Sequence, residues 1–178
     1  MYTCYSTSMP MNFQLEAPCP IALLLEQVGD RWSPLIIRDA FYGVRRFDGF
    51  QQHLGISKKV LTMRLNALVQ AEILKRELYQ VKPDRYEYRL TIKGRELFPV
   101  LLTMMRWGNR WLVPEGQETV QLVHIDCGEK IEPKLICSHC EHPISPAVTR
   151  TMPGPGASRE VVQAFRQIVR KSEHKPDM

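Results

Sequence analysis

The most informative part of the chain reads RRFDGFQQHLGISKKVLTMRLNALVQ, residues 45–70. A short helical stretch from Phe47 to His53 is followed by Gly55, and Ser57 is a good N-cap for a longer periodic segment. The apolar side chains of that segment recur at the i, i+4 and i+7 spacing of one helix face: Leu61, Leu65 and Leu68. The pattern predicts a helix, a tight turn and a second helix with an apolar back and a basic front.

The flanking segments predict the rest of a small domain. Two short amphipathic helices, around residues 21–28 and 33–41, are expected to end at Gly29 and Gly43. Behind the motif, residues 73–79 and 86–90 are rich in strand formers and are separated by a Pro-Asp turn, which predicts an antiparallel hairpin. Thr91 is then expected to cap one long helix that runs to Pro114 and has surplus apolar surface for a dimer contact.

Positive charge is confined to the same part of the chain. The 178 residues carry a net charge of +5, but residues 45–95 alone hold twelve Lys and Arg against five Asp and Glu. That segment is therefore +7 and the remainder −2. Such confinement is typical of a polyanion-binding element, because each cation placed on a phosphate releases condensed counterions. Nucleic acid is the first candidate partner.

Composition excludes several other classes of protein. With 44% hydrophobic and 24% charged residues the chain matches an average globular protein, which argues against wholesale disorder or a disulfide scaffold. No apolar run reaches the roughly 18 residues of a membrane span, and residues 1–13 lack a basic leader and an apolar core. These features predict a cytoplasmic protein.

Three groups of side chains are candidates for DNA contact. The second helix of the motif offers cations and hydroxyls that suit bases and phosphates in the major groove: Ser57, Lys58, Lys59, Thr62 and Arg64. Lys82 and Arg85, at the hairpin tip, can reach phosphates or a minor groove. Arg45 and Arg46 are candidate backbone clamps. A solvated basic helix and an ordinary surface arginine pair are the alternatives.

A cysteine-rich stretch follows Pro114. His124, Cys127, Cys137 and Cys140 have the spacing His-x2-Cys-x9-Cys-x2-Cys, in which two turns can direct four donors at one tetrahedral zinc ion. His139 and His142 compete for the fourth position. A closed set of four protein ligands implies a structural role. The alternative is three reduced cysteines in a small β element.

Cys19 is a candidate redox sensor. It comes directly before the first helix, and the dipole at a helix N-terminus favours a thiolate. The alternative is a small buried residue next to Pro20. The chain has no nucleophile-elbow, P-loop or dinucleotide motif, and His53 and His174 stand alone, without acid or nucleophile partners nearby. We therefore expect no enzyme activity.

Six short blocks occur in order: CP at 19–20, GDRW at 29–32, GVRRF at 43–47, GIS at 55–57, LTMRL at 61–65, and RYEYRLT at 85–91 with Gly94 following. With them the stretch from Cys19 to Trp111, about half of the chain, resembles the HxlR-type winged helix-turn-helix transcriptional regulators of bacteria and archaea. The resemblance implies a dimer with two wings flanking two recognition helices. In some members a cysteine near the N-terminus senses oxidants or electrophiles.

Two positions depart from the family pattern. Lys58 stands where the family usually has proline, which adds a charge at the front of the recognition helix. Glu72 stands where the helix usually ends with glycine, so this residue either adopts a left-handed conformation at a cost of roughly 1 kcal/mol or ends the helix differently.

The sequence thus predicts a mainly α fold with a small β-hairpin wing, a winged helix-turn-helix, and a small Cys/His-rich C-terminal extension. Its expected parts are a tail (1–18), a DNA-binding and dimerisation domain (19–113), a possible zinc-binding extension (120–150) and an amphipathic helix (158–171). We expect a homodimeric transcriptional regulator that binds an inverted-repeat operator in double-stranded DNA. A winged-helix module that binds an acidic protein, and a thiol- or metal-dependent enzyme, remain as alternatives.

Overall fold

The structure is a computed structural model that describes residues 19–172, except for the side chains of residues 164 and 167–172. Residues Leu24–Ile144 form one compact unit, and the C-terminal segment from Ser145 is described separately. The predicted tail (1–18), which includes Cys4, and the expectation for His174 lie outside the described residues.

In the part of the chain that the structure describes, four helices precede the predicted wing and three follow it. The helices are α1 (Pro20–Val28), α2 (Ser33–Phe41), α3 (Phe47–Leu54), α4 (Lys58–Gln70), α5 (Ile92–Arg95), α6 (Phe98–Leu112) and α7 (Arg159–Ser172). The strands are β1 (Leu74–Gln80), β2 (Arg85–Leu90), β3 (Leu122–Val123) and β4 (Lys130–Ile131). The predicted helix, turn and helix are α3, residues 55–57 and α4, and the predicted wing is the β1–β2 hairpin. The winged helix-turn-helix fold is confirmed.

The core lies between the helices of the motif and the root of the wing. Its largest fully buried apolar side chains come from α2, α3, α4 and the start of β1: Ile36, Ile37, Phe50, Leu61, Leu65, Leu68, Ile73 and Leu74. Gly55 makes the tight turn between α3 and α4 in a left-handed conformation with φ 61°, which costs glycine little. All three leucines predicted for the back of the second helix are therefore in the core.

The C-terminus of α4 ends on a non-glycine residue in the left-handed region. Glu72 has a φ of 56°, and the next N–H, that of Ile73, reaches back to the carbonyl of Leu68 at 3.0 Å. This is the hydrogen bond of a Schellman motif. The departure from the family pattern at this position is therefore accommodated by a left-handed glutamate and not by another helix end.

Hydrogen-bond donors from residues 91–93, which follow the wing in sequence, satisfy the free carbonyls at the C-terminal end of α4. The Lys93 Nζ donates to the carbonyl of Ala71 at 2.8 Å, the Thr91 hydroxyl to that of Glu72 at 2.6 Å, and the Thr91 N–H to that of Ile73 at 3.1 Å. The last carbonyls of a helix have no partner within the helix, so they need such donors. The C-terminal end of α4, the wing and α5 thus share one junction.

A third chain segment, residues 45–46, also pairs with the wing, and the sequence patterns did not predict it. β1 and β2 pair antiparallel, from Leu74 opposite Leu90 to Gln80 opposite Arg85. Arg46 forms an antiparallel bridge with Glu87, and the N–H of Tyr88 donates to the carbonyl of Arg45 at 2.7 Å. The segment before α3 is therefore hydrogen-bonded to the wing as a short edge.

One expectation about the flanking helices was wrong. The single helix predicted from Thr91 to Pro114 is divided into α5 and α6, because Pro99 lacks an N–H and its ring would clash with the carbonyl of Arg95 in a continuous helix. The apolar face predicted for α1 is only partly buried: Val28 is in the core and Leu24 packs against it, whereas Ile21 and Leu25 are exposed.

The chain after α6 contains little regular structure. β3 and β4 form a two-stranded antiparallel hairpin, with Leu122 opposite Ile131, and a single bridge joins Ile136 to Pro143. The predicted C-terminal helix corresponds to α7, where the Ser158 hydroxyl accepts a hydrogen bond from the N–H of Val161 at 3.3 Å.

The junction behind the wing generates a stability prediction. A Cβ added at Gly94 would lie 2.1 Å from the carbonyl oxygen of Ile73, which is backbone and cannot move aside cheaply. We expect Gly94→Ala to lower the free energy of unfolding by about 2 kcal/mol or more, as overpacking does. Gly154→Ala, at a position with nothing within 4 Å, should change it by less than about 0.5 kcal/mol. Urea unfolding followed by circular dichroism would measure both, and equal stabilities would contradict the close contact.

Candidate nucleic-acid interface

The first turns of α4 present a basic, hydroxyl-bearing surface to solvent. Lys58, Lys59 and Thr62 are exposed, whereas the leucines on the opposite side are fully buried. Within the described part of the chain, no ion pair occupies either lysine. The Ser57 hydroxyl accepts a hydrogen bond from the N–H of Val60 at 3.4 Å, so it caps the helix. Unpaired cations at a helix N-terminus form a favourable site for phosphate.

Arg64, also predicted to contact DNA, is engaged within the protein. Its Nε lies 3.1 Å from Oδ1 of Asp30, in the turn between α1 and α2. The same carboxylate accepts hydrogen bonds from the N–H groups of Trp32 and Ser33 and from the Ser33 hydroxyl. Arg64 therefore ties α4 to the start of α2, and DNA contact by its guanidinium would have to be shared with Asp30.

This network sets the ionisation of Asp30. Burial raises the pKa of its carboxyl, but the hydrogen bonds from Ser33 and Trp32, together with the Arg64 charge, outweigh burial and hold the pKa below its ordinary value. Asp30 is consequently ionised over the whole neutral range and stays paired with Arg64.

The wing tip carries the second predicted group. Lys82 and Arg85 are both exposed, on the turn and at the start of β2. Arg85 lines a shallow concave surface with Arg46 and Tyr79, and the Arg46 guanidinium stacks over the Tyr79 ring at 4.5 Å. The structure therefore brings one clamp residue and one wing residue together, while Arg45 is exposed nearby on the chain. Tyr79 is a member of this surface that the sequence reasoning missed.

Several cations of the basic segment are already neutralised. Lys75 Nζ lies 2.5 Å and Arg89 Nε 2.9 Å from the carboxylate of Glu77, and Arg89 also pairs with Glu87. The hydrogen bond from Lys75, followed by the charges of Lys75 and Arg89, lowers the pKa of Glu77 against a smaller opposing effect of burial. The charge available to a polyanion is thus concentrated at the α4 N-terminus and the wing tip.

Cys19 is exposed, and its carbonyl accepts the hydrogen bond of the Leu23 N–H at 3.0 Å. The alternative of a buried residue next to Pro20 is therefore wrong. The thiol lies at the N-terminal end of α1, where an oxidant or electrophile can reach it.

The four predicted metal ligands occur as two pairs. His124 Nδ1 is 3.4 Å from Cys127 Sγ in one turn, and Cys137 and Cys140 share a second turn. Hydrogen bonds from the N–H groups of Cys140 and His139 and from the Cys140 thiol lower the pKa of Cys137, against a smaller effect of burial. Among the residues that the structure describes, no three His, Cys, Asp or Glu side chains are arranged to hold a metal ion together. The predicted set of four is therefore divided.

His53 does not stand alone as expected. Its Nδ1 lies 3.3 Å from Oδ2 of Asp39, a fully buried carboxylate whose Oδ1 is 2.8 Å from the Arg38 guanidinium. No sequence motif signals this pairing, because α2 and α3 bring the two residues together across fourteen positions.

The comparison with known families agrees with this architecture. The family model of the HxlR-like helix-turn-helix matches residues 27–116, which include α2 to α6 and the wing. The chain belongs to the HxlR-like helix-turn-helix family. The sequence-based resemblance is confirmed.

Relatives of this HxlR-like chain are named as regulators. It is 45% identical over 133 residues to the HTH-type transcriptional regulator Rv3095 of Mycobacterium tuberculosis, covering 74% of this chain and 84% of the relative. Among solved structures it is similar to PA1607, a proposed transcription factor, with 36% identity, a TM-score of 0.70 and coverage of 78% and 97%. The reduced form of the redox regulator HypR matches at 33% identity and a TM-score of 0.50, covering 53% and 97%.

The likeness to PA1607 extends beyond the helix-turn-helix segment, since it covers more of the chain than the family model does. None of the helices described between residues 19 and 172 is long and apolar enough to cross a bilayer.

The Asp30–Arg64 network predicts a specific dependence of stability on pH. A carboxyl whose pKa is lowered in the folded state stabilises the protein above its unfolded pKa of about 3.9 and loses that contribution as the pH falls through the folded value. We expect Asp30→Asn to be less stable than wild type at pH 7, with the difference shrinking below about pH 4. Asp84→Asn, in the exposed wing turn, is the control. Urea unfolding at pH 7 and pH 3 would measure it, and a difference independent of pH would contradict the network.

Proposed function

We propose that the protein is a sequence-specific DNA-binding transcriptional regulator that acts as a homodimer and inserts α4 into the major groove. The observation that supports this most directly is the exposed, unpaired pair Lys58 and Lys59 at the N-terminus of a helix whose opposite side is fully buried. An α-helix fits the major groove of B-DNA, and the N-terminal residues of a recognition helix are those that reach base edges.

Each group of side chains has a separate part in the proposed complex. Lys59 and Thr62, one turn apart on the exposed side of α4, contact bases and the adjoining phosphates. Lys82 and Arg85 bring the wing to the flanking backbone or minor groove. Arg45 and Arg46 hold the phosphates between them, since both are hydrogen-bonded to the wing through their backbone.

The proposed dimer forms through α6. Its inner side packs on the core through Leu97 and Leu101, whereas Val100, Met104, Trp107 and Trp111 form an exposed apolar stripe at intervals of four, three and four residues. Trp107 is 58% and Trp111 63% exposed. A stripe with this spacing is the seam along which two helices pack. A second copy of the same helix would bury it and give the two-fold symmetry that an inverted-repeat operator requires.

A redox signal is a further part of the proposal. The accessible Cys19 thiol at the start of α1 is the proposed point of attack, and the similarity to the redox regulator HypR supports such a response. In this proposal the protein acts in the cytoplasm of a bacterium or archaeon, where the genome lies. It regulates transcription and has no catalytic activity.

Removal of one interface lysine tests DNA binding. We expect Lys59→Ala to weaken binding to promoter fragments selected from genomic DNA several-fold and to reduce the slope of log K against log salt by about one per subunit. Lys134→Ala, which removes an equally exposed lysine outside the interface, should leave both unchanged. Fluorescence anisotropy at several salt concentrations measures the slope, and scrambled duplex measures specificity.

Wild-type protein that ignores DNA even at low salt would refute the regulator and favour an acidic protein partner. Equal losses for both lysine variants would show that only net charge matters. Repeating the titration after oxidant treatment tests the sensor: wild type should lose binding and Cys19→Ser should keep it, and loss in both would remove Cys19 from the proposal.

A charge in the middle of the α6 stripe tests the dimer. We expect Trp107→Asp to convert the dimer into a folded monomer, because each aspartate would be buried against its copy without a partner. Val148→Asp changes another exposed apolar residue, outside the stripe, and should remain dimeric. Sedimentation equilibrium distinguishes the two states. A dimeric Trp107→Asp variant would place the interface elsewhere.

A further inference from the structure

Residues 120–150 lack the apolar core that would hold such a segment in place. No residue described after Gly94 is buried, and the larger apolar side chains of this segment are exposed, including Ile125, Leu135, Ile136 and Ile144. A chain segment with little apolar burial often depends on a metal ion or disulfides for stability. The cysteines here are free. Something other than apolar burial must therefore stabilise this part of the chain.

Two turns in the segment have the same backbone hydrogen bonds. In the first turn (residues 124–129), the carbonyl of His124 accepts from the N–H of Gly128 at 2.8 Å, and the N–H of His124 donates to the carbonyl of Glu129 at 2.9 Å. In the second turn (residues 137–142), the carbonyl of Cys137 accepts from the N–H of Glu141 at 2.9 Å, and its N–H donates to the carbonyl of His142 at 2.8 Å.

The fifth residue has the same unusual conformation in both turns. Gly128 has a φ of 74° and Glu141 a φ of 60°. Glycine adopts this region freely, but a glutamate does so at a cost, so the second turn keeps the shape of the first against its own sequence. Each turn is also framed by antiparallel pairing, the first by β3 and β4 and the second by the bridge between Ile136 and Pro143.

Alignment of the two turns by position distinguishes the residues placed to bind a metal from the residues that are not. Position one holds His124 or Cys137, and position four holds Cys127 or Cys140, so both positions carry a metal donor in both turns. His139 falls on the position of Asp126, and His142 on that of Glu129. The repeated geometry thus selects His124 over His139 and His142 as the fourth donor.

The first pair already has the separation of two ligands on one zinc ion. His124 Nδ1 is 3.4 Å from Cys127 Sγ. Zn–N and Zn–S bonds at a tetrahedral angle place the two donor atoms about 3.5 Å apart. The other ring nitrogen, Nε2, lies 3.8 Å from the Asp126 carboxylate, on the side where a histidine ligand normally has an acidic partner.

The second pair lies in the other turn, where Cys137 and Cys140 occupy positions one and four of the same hydrogen-bonded loop. Metal binds the thiolate form of both cysteines.

We propose that residues 120–150 bind one structural Zn²⁺ through His124 Nδ1 and the thiolates of Cys127, Cys137 and Cys140. Each turn supplies one pair of donors, and the ion joins the two pairs into one tetrahedral site. Binding releases the three thiol protons to solvent, and His124 binds as the neutral imidazole. Four protein ligands close the site, so it does not bind a substrate.

Metal and thiol content of the full-length protein test this site. Protein purified without chelator should contain about one zinc per chain, and only two of its five cysteines should react rapidly with a thiol reagent. Chelator should expose all five. Co²⁺ added to the stripped wild-type protein should give the visible absorption of a tetrahedral thiolate site and saturate at one equivalent. Protein that takes up neither ion, or that contains a disulfide among these cysteines, would overturn the proposal.

Variants then test the ligand assignment. His124→Ala should weaken Co²⁺ binding at least tenfold, whereas His139→Ala and His142→Ala, each the same loss of an imidazole, should bind as wild type does. Cys137→Ser should abolish the thiolate absorption, and Cys19→Ser should leave it intact. Loss of binding in His139→Ala or His142→Ala with retention in His124→Ala would overturn the assignment. The measurements do not involve DNA, so their outcome is independent of the proposed regulator function.

Discussion

Burial of Leu61, Leu65 and Leu68 fixes which side of α4 faces water, and the arrangement of the proposed DNA-binding surface depends on it. Truncation of a fully buried leucine costs about 2–5 kcal/mol, so a rotation of α4 that exposed all three would exceed the stability of a small domain. Lys58, Lys59 and Thr62 stay outside because the leucines must stay inside. The buried leucines therefore set the direction in which the lysines of α4 face, although the leucines themselves are not on the exposed surface.

The middle and the C-terminal end of α4 are held by segments that also serve other parts of the fold. Asp30 binds Arg64 on the helix and the start of α2, and the Thr91 and Lys93 donors hold the C-terminal carbonyls. The latter two residues directly follow β2 and open α5. A movement of the wing or of α5 relative to α4 therefore breaks hydrogen bonds at the C-terminal end of α4, so these elements are held together.

Local sequence patterns predicted the helices of the motif and the wing. They did not predict which charged side chains are paired within the protein. The periodicity of Leu61, Leu65 and Leu68 and the strand formers around Pro83 predicted the motif and the wing, because both signals lie within a few residues. A count of Lys and Arg cannot tell that Arg64 is paired with Asp30 or that Arg89 is paired with Glu77, since each pairing depends on how distant segments pack. The same limit applies to Asp39 and His53. The division of α5 from α6 could have been read from Pro99, which forbids a continuous helix at that point.

The helix of the proposed dimer contact, α6, is connected to α4 and the wing through one short segment. This connection gives the α6 stripe a role beyond holding two copies together. α6 begins four residues after Gly94, whose close approach to the carbonyl of Ile73 locks the segment to the end of α4. The ring of Phe98, at the start of α6, lies 4.9 Å from that of Phe41 in α2. This contact fixes the direction of α6 relative to α2. Two copies packed along the stripe would therefore hold their α4 helices at a set separation, and half-sites must lie one helical turn of DNA, about 34–36 Å, or a multiple of it apart. In the proposed complex, a change in the crossing of the two α6 helices would alter that separation without altering a DNA contact, so operator affinity would respond to an event at the dimer seam.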